Sequence, residues 1–467
     1  MTAPSSTPSP LLSADTLRAI AQEALAASSA DTTYVRVHHV ANGVTRVSNN
    51  HVRLTNSGDT LTIEVGARFG NRDSATLTFN QIDAGSIRAA VRHAEYMAHE
   101  SRGDPAPSIS VLPIPPRKFG PSTVWHDSTA DAMIEARQTI VPALLQPMHD
   151  AGLNASAFVG VYAHVQMFAS KQGLFSMGQE TDAELTVTGW SPKDNGVLGS
   201  PGWAGQAARD WKTLDPTKVG TEAARLTVLA ANPVAFEPGR RVAILSRPAV
   251  AQMIRAIGGD YGARPTHYGT TPLSGIKIGQ KVVDERINLT SDPNDPEGGY
   301  LPMSNSGYPL TAMPWLQQGR LANLAYDPYY AAEHSIPISN DSPRAMRLQA
   351  AGGKISTIDE MIANATEAIY VNRVTNIDII NGRSGLMTGV TQGGCFLVRH
   401  GKIDKAVKDF RFADSVYFFL NRLIAIGAPE RTAFGYSPWH GDWPIAPTIV
   451  PPLMVADFNF IALADAV

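Results

Sequence analysis

The chain has 467 residues, a formal net charge of −3 and one cysteine, Cys395. Hydrophobic residues make up 43% of it and charged residues 17%, values typical of a globular protein with a sizeable core. This composition argues against nucleic acid binding by a basic surface, against an internal disulfide and against a membrane span, which needs about 20 consecutive apolar residues.

The first twelve residues are rich in Ser, Thr and Pro and lack the basic and apolar regions of a signal peptide. We therefore expect a disordered tail over residues 1–12 and a cytoplasmic protein.

Residues 13–103 are predicted to fold as a helix, a set of strands and a second helix. Hairpin signals at Asn42-Gly43 and at residues 57–59 separate the first three strands. The predicted helices span residues 14–28 and 83–100, and the predicted strands span residues 33–40, 44–55, 60–69 and 74–79.

The same order returns in residues 129–232, after a Pro-rich connector over 104–128. The predicted helices span residues 130–151 and 216–231, and the predicted strands span residues 156–169, 173–177, 184–190 and 199–207. The two segments suggest an internal repeat within one N-terminal α+β domain, residues 13–232.

Residues 242–260 predict a buried strand, a tight turn and an apolar helix. Ser246 stands at the helix N-cap position, Pro248 lies in the first turn, and Gly258-Gly259 ends the helix. The polar residues on this helix before the glycines are Gln252 and Arg255.

A β-rich domain is predicted for residues 233–467, because short strand patterns recur there with few helices. Its predicted elements include strands over 274–286 and 287–290, a hairpin over 310–326, a turn or bulge at Gly393-Gly394 and an apolar helix over 415–426. The fold class is therefore α+β.

Residues able to do chemistry are few and scattered. No phosphate-binding loop, no Gly-x-Ser-x-Gly turn and no His-Glu-x-x-His helix is present in the sequence. His267 lies in a central loop, and His440, Asp442 and Trp443 lie in a Pro-rich loop flanked by tryptophans, so these four residues are candidates for contacting a peptide.

Several stretches together resemble the TldD/PmbA family of metallopeptidases, also called modulators of DNA gyrase. These stretches are residues 68–70 with 75–76, residues 218–231 with 238–248, residues 375–391 with 401–403 and 407–412, and residues 415–427 with 447–448. The resemblance implies an N-terminal α/β domain, a C-terminal β-rich domain and two subunits that enclose a chamber.

In the peptidase-type subunit of this family, the helix after the mid-chain strand carries His-Glu-x-x-x-His, and a late cysteine completes a zinc site. Placed on this chain, the motif falls on Ile254, Arg255 and Gly259, and the cysteine should fall near residues 434–437, where none occurs. The resemblance therefore implies a PmbA/TldE-like member that carries no zinc itself.

Three functional hypotheses remain open from the sequence. The first is a non-catalytic subunit that pairs with a zinc-bearing TldD-like chain to act on unfolded peptides. The second is a homodimeric peptide-binding protein. The third is an independent enzyme with relocated chemistry at Asp260, His267, His440 or Asp442.

Overall fold

The computed structural model describes residues 11–70, 73–101, 124–132, 134–191, 201–299, 303–304, 308–337, 339–340, 342–434 and 447–464. The helices in these ranges are α1 (Ala14–Ala27), α2 (Ala84–Glu100), α3 (Asp127–Ala130), α4 (Ile134–Thr139), α5 (Val141–Asp150), α6 (Pro216–Leu229), α7 (Arg247–Ala256), α8 (Ala263–His267), α9 (Pro328–Glu333), α10 (Ile358–Ala363) and α11 (Val416–Leu420). In the same ranges no helix has the length and apolar character needed to cross a membrane.

The strands in these ranges are β1 (Thr32–Ser48), β2 (His51–Phe69), β3 (Asp73–Phe79), β4 (Asn154–Ser170), β5 (Phe175–Trp190), β6 (Gly202–Ala208), β7 (Gly239–Leu245), β8 (Ile287–Ser291), β9 (Met313–Gln317), β10 (Arg320–Leu321), β11 (Arg347–Ala350), β12 (Glu367–Asn381), β13 (Leu386–Arg399), β14 (Lys402–Ala406), β15 (Phe410–Ser415), β16 (Leu423–Ile426), β17 (Glu430–Arg431), β18 (Ile449–Val450) and β19 (Leu453–Leu463).

The N-terminal sheet is antiparallel, with its strands in the order β3-β2-β1-β4-β5-β6. The first three strands come from residues 13–103 and the last three from residues 129–232, so each segment supplies one half of the sheet. Because side chains alternate between the two faces of a strand, Val35 and Val37 on β1 and Val165 on β4 lie on the same apolar face. Helices α1 and α2 cover one half of that face, and α5 and α6 cover the other half.

The opposite side of this sheet bears buried polar residues, which we call the polar face: His38 on β1, His164 on β4, and Glu180, Asp182 and Glu184 on β5. His38, His164 and Glu184 are less than 9% exposed, and the side chains of Glu180 and Asp182 are 12% and 16% exposed. The polar face therefore has to be neutralised by partners inside the protein.

Two of the hairpin predictions are wrong. Asn42 pairs with Gly58 and Gly43 pairs with Ser57 in the middle of two long strands. The actual turn is Asn49-Asn50, where both residues have positive φ values, 49° and 63°. A two-residue turn of this kind needs left-handed conformations at both positions, which asparagine tolerates.

Other elements differ from their predictions in extent. The predicted strands at 173–177 and 184–190 are parts of the single strand β5, and residues 274–286 form no named strand. The predicted helix over 415–426 is only α11, followed by β16, because Asn421 ends the helix and β16 pairs with β19. Of the predicted tail, residues 1–10 lie outside the described ranges, and Leu11 and Leu12 pack against the core beneath α1.

The C-terminal domain contains a closed ring of strands. Its sheet runs in the order β12-β7-β19-β15-β13-β14, and β12 also pairs with β13, which closes five of these strands into a barrel. Gly393 and Gly394 have φ values of 73° and 117° and form the predicted bulge in β13, where the register with β12 shifts. A second sheet, β10-β9-β8-β11-β18-β17, lies in the same domain and shares its core.

Candidate functional site

The predicted strand–turn–helix at mid-chain is β7 followed by α7. Strand β7 runs parallel to β12 and antiparallel to β19. Ser246 occupies the N-cap position, but its hydroxyl does not cap the helix; it donates to the backbone carbonyl of Asn372 on β12. The start of α7 is thus held against β12, which fixes where the rest of the helix lies.

The three motif positions on this helix have different environments. Ile254 is fully buried in the core of the C-terminal domain. The Arg255 guanidinium lies over the ring of Phe434, 4.4 Å from its centroid. Gly259 is exposed in the turn after the helix, and a Cβ placed there would meet nothing within 4 Å.

These positions do not fit zinc. The zinc site that the resemblance implies needs two neutral imidazoles and a thiolate, whereas Ile254, Arg255 and Gly259 offer an aliphatic group, a cation and no side chain. Cys395 is 3% exposed, and burial raises the pKa of its thiol well above the ordinary value, so it remains a neutral core residue. Among the described residues, no three His, Cys, Asp or Glu side chains form a group that could hold a metal ion.

A second arginine, which the sequence did not single out, contacts the same residue as Arg255. Arg373 on β12 donates to the backbone carbonyl of Phe434 at 3.3 Å, and its guanidinium lies 4.9 Å from the centroid of the Trp203 ring. Asn372 fixes that tryptophan, since its amide nitrogen donates at 2.8 Å both to the Trp203 carbonyl and to the Gly393 carbonyl. The spacing of these residues along the chain could not have predicted that they are in contact.

The polar face reaches Phe434 through Glu184, whose carboxylate accepts a hydrogen bond of 3.2 Å from the backbone N–H of Phe434. Asp182 pairs with the buried Arg431, three residues earlier in the same segment, and with Arg209 at 3.4 Å. The segment 431–434 therefore joins the N-terminal sheet to the end of α7.

Further along the polar face, two buried imidazole rings and a carboxylate lie in successive contact. His38 Nδ1 lies 3.2 Å from His164 Nε2, and His164 Nδ1 lies 3.4 Å from the Glu180 carboxylate. Burial lowers the pKa of His38 to about 2, and the nearby His164 acts in the same direction. Burial alone would raise the pKa of Glu180, but the His164 hydrogen bond and the Arg209 charge lower it to about 2.

The other predicted site residues that the structure describes, His267 and Asp260, contact different partners. His267 is exposed at the end of α8, and its Nδ1 lies 2.6 Å from the hydroxyl of Tyr330. Asp260 accepts a hydrogen bond of 3.0 Å from Tyr417, and burial raises the pKa of its carboxyl to about 6. His440, Asp442 and Trp443 lie outside the described residues.

Comparisons with known proteins agree with this architecture. Residues 238–462 match the family model of the PmbA/TldA metallopeptidase C-terminal domain. No curated protein matches the sequence. The structure is similar to that of TldE from Thermococcus kodakarensis, at 15% identity with a TM-score of 0.80, over 95% of this chain and 99% of that one.

Two further solved structures, described as proposed modulators of DNA gyrase, are similar. The one from Thermotoga maritima has 14% identity and a TM-score of 0.75, over 92% of this chain and 95% of that one. The one from Bacteroides thetaiotaomicron has 13% identity and a TM-score of 0.76, over 95% of this chain and 98% of that one. The predicted α+β fold is confirmed, and residues 238–462 form a C-terminal domain of the TldD/PmbA family.

Proposed function

We propose that this chain is a non-catalytic, TldE-like subunit that pairs with a zinc-bearing TldD-like chain in the cytoplasm. The pair would enclose a chamber in which unfolded or extended peptides are held and cleaved. One observation carries the proposal: α7 is well packed and firmly anchored, yet its motif positions carry an aliphatic side chain, a cation and a glycine.

Helix α7 lacks zinc ligands but is still packed and anchored. This favours a structural and peptide-binding role for the chain over loss of the whole site. Ile254 contributes to the core, and Arg255 is held on Phe434 rather than left in solvent. A cation over an aromatic ring adds roughly 1–2 kcal/mol when partly desolvated. Ile254 and Arg255, at two of the three motif positions, thus stabilise the fold around them.

The proposal is tested by mixing the purified chain with a TldD-like protein that carries His-Glu-x-x-x-His. We expect a heterodimer by gel filtration and cleavage of an unfolded casein-type substrate by the mixture. Replacing the motif glutamate of the TldD-like protein by Gln should abolish cleavage, because that carboxylate activates the water.

Two outcomes would favour the other hypotheses. A stable homodimer that binds peptides and ignores the TldD-like chain would indicate a homodimeric peptide-binding protein. Peptide cleavage by the isolated chain, lost on replacing Asp260 or His267 by Ala, would indicate an independent enzyme with relocated chemistry.

A further inference from the structure

Aromatic rings from two short helices meet in the C-terminal domain. The ring centroid of His267, at the end of α8, lies 5.5 Å from that of Tyr330 and 6.4 Å from that of Tyr326. Tyr326 and Tyr330 are 6.5 Å apart, and Tyr330 and His334 are 4.1 Å apart. These distances are typical of packed rings. We call these four residues and the adjacent Tyr268 the aromatic cluster.

Hydrogen bonds and a cation fix the rings around Tyr330, which is only 2% exposed. His267 Nδ1 lies 2.6 Å from the Tyr330 hydroxyl oxygen, and His334 Nδ1 donates to the Tyr330 backbone carbonyl at 3.0 Å. The Arg264 guanidinium lies 5.2 Å from the centroid of the Tyr330 ring. Because the rings are already held in place, little side-chain entropy is lost when a ligand contacts them.

The outer side of the aromatic cluster is exposed. His267 and His334 are exposed, and Tyr268 is 67% exposed. The backbone of Tyr268 is fixed, since its N–H donates to the Arg264 carbonyl at 3.0 Å where α8 ends. A single exposed ring is common on protein surfaces, but Tyr268 stands beside rings that are already packed together. It therefore offers a ring face for one more aromatic contact.

Backbone hydrogen bonds place the aromatic cluster beside the motif positions of α7. The Thr266 hydroxyl donates at 3.0 Å to the carbonyl of Asp260, the residue after the motif position Gly259. The segment before α9 is held there too, because the Ala325 N–H donates to the Tyr261 carbonyl at 2.7 Å. The aromatic cluster thus adjoins the part of the chain on which the proposed function rests.

We propose that the aromatic cluster binds an aromatic side chain of the peptide, with the Tyr268 ring as the main contact and His267 beside it. Offset or edge-on ring pairs add binding free energy beyond the area that they bury, which an aliphatic side chain of similar size does not gain. Tyrosine also supplies a large contact area at a low cost in conformational entropy. This inference rests on the proposed peptide-binding function and adds to it a side-chain preference.

The test uses three versions of one short, unstructured Ala/Ser/Gly peptide with a fluorescent label at its N-terminus. The central residue is Phe in the first, Leu in the second and Ser in the third. Fluorescence anisotropy gives the affinity of each for the full-length chain, alone and together with the Gln variant of the TldD-like protein, which should not cleave the peptide. We expect the Phe peptide to bind about fivefold more tightly than the Leu peptide.

Substitutions in the aromatic cluster should change this preference selectively. Tyr268→Ala should remove most of it and His267→Ala part of it, whereas Tyr268→Phe should keep it because the ring remains. Tyr96→Ala is the matched control, since the Tyr96 ring on α2 is 64% exposed, and should keep the full preference. Thermal unfolding of each variant shows that a loss is not a failure to fold.

The outcomes separate this inference from the function on which it rests. Equal affinity of the wild-type chain for the Phe and Leu peptides would overturn the aromatic site and leave peptide binding standing. An unchanged preference in Tyr268→Ala would also overturn it, and weaker pairing of that variant with the TldD-like protein would then identify a subunit contact. Absence of binding by all three peptides would reject peptide binding and the aromatic site together.

Discussion

Gly43 lies in the middle of β1, directly beneath the guanidinium of the buried Arg137. That guanidinium donates to the carbonyls of Ala132 and Asn56, each at 2.8 Å, and so ties the start of α4 to β2. A Cβ on Gly43 would lie 2.1 Å from an Arg137 nitrogen. The glycine that resembled a turn signal is therefore required by the close approach of a side chain.

We predict that Gly43→Ala lowers the free energy of unfolding by about 2–3 kcal/mol, because it displaces a buried charge from its hydrogen bonds. Gly58→Ala is the matched control, since Gly58 lies opposite Asn42 on the same ladder and has open space at its Cβ. Denaturant unfolding measures both. Equal losses in the two variants would show that the Arg137 contact does not explain Gly43.

His38 gives the stability of the protein a pH dependence. Its pKa is about 2 in the folded state and about 6.5 in an unfolded chain, so between these values only the unfolded chain takes up the proton. Stability should therefore fall as the pH drops below 6.5, by roughly 1.4 kcal/mol per pH unit for one such group. Glu180 adds a loss of the same sign below its ordinary pKa of 4.5.

We predict that His38→Gln has a shallower loss of stability between pH 6.5 and 4.5 than the wild-type chain, as measured by urea unfolding at several pH values. Asp260 and Asp409, whose pKa values burial raises to about 6, act in the opposite direction in both proteins, so the difference between the two curves isolates His38. Parallel curves would contradict the assignment.

At the scale of elements, periodicity predicted most helices and strands, but not where long strands turn. The alternation of β1 and β2 continues through Asn42-Gly43 and Ser57-Gly58, because both dipeptides are paired inside the β1–β2 ladder. At Gly43 the Arg137 side chain needs the space, whereas Gly58 has open space at its Cβ. In α11 and β16, two short apolar runs separated by Asn421-Arg422 could not by themselves distinguish a helix from a strand.

The turn at Asn49-Asn50 also makes side-chain hydrogen bonds to the start of β4. The Asn50 side chain accepts the N–H of Ala155 at 2.7 Å and donates to the carbonyl of Leu153 at 3.1 Å, and so fixes the start of β4 to the tip of the first hairpin. This side chain therefore adds to the β1–β4 ladder and to the bond from the Asn50 N–H to the Ala155 carbonyl in joining the two halves of the N-terminal sheet at one end.

We predict that Asn50→Ala destabilises the protein by about 2–3 kcal/mol, because it loses both hydrogen bonds and puts Ala at a φ of 63°. Asn50→Gly should cost less, since glycine adopts that conformation without strain and only the hydrogen bonds are lost. Asn49→Gly, at a φ of 49°, is the control and should be nearly neutral. Thermal unfolding midpoints order the three variants, and equal midpoints would contradict both contributions.

At the scale of the whole molecule, an ion pair joins the N-terminal sheet to the C-terminal domain. Asp182 and Arg431 are separated by 249 positions in the chain and form a buried ion pair. From the sequence, the motif positions on α7 could be assigned by resemblance. The polar face and the contacts of Arg255 and Arg373 with Phe434 could not be predicted, because their members come from elements far apart in the sequence that meet only in the tertiary fold.

We predict that Asp182→Asn destabilises the protein by about 3–5 kcal/mol, since it leaves the buried Arg431 without its charge partner. The exposed pair Asp404–Arg399, at 3.8 Å, supplies the control, and Asp404→Asn should change stability by no more than about 1 kcal/mol. A double-mutant cycle with Arg431→Gln measures the coupling directly. Additive effects of the two single variants would show that the pair does not join the domains.

The polar face also affects the order of events during synthesis. Strand β5 leaves the ribosome with three carboxylates on one side, and Arg209 follows soon after, but Arg431 and Phe434 are made about 250 residues later. At the usual rate of translation this delay is roughly 12–50 s. During that interval Asp182 lacks the Arg431 guanidinium and Glu184 lacks the Phe434 N–H, so the N-terminal sheet reaches its final stability only when the C-terminal domain has been made.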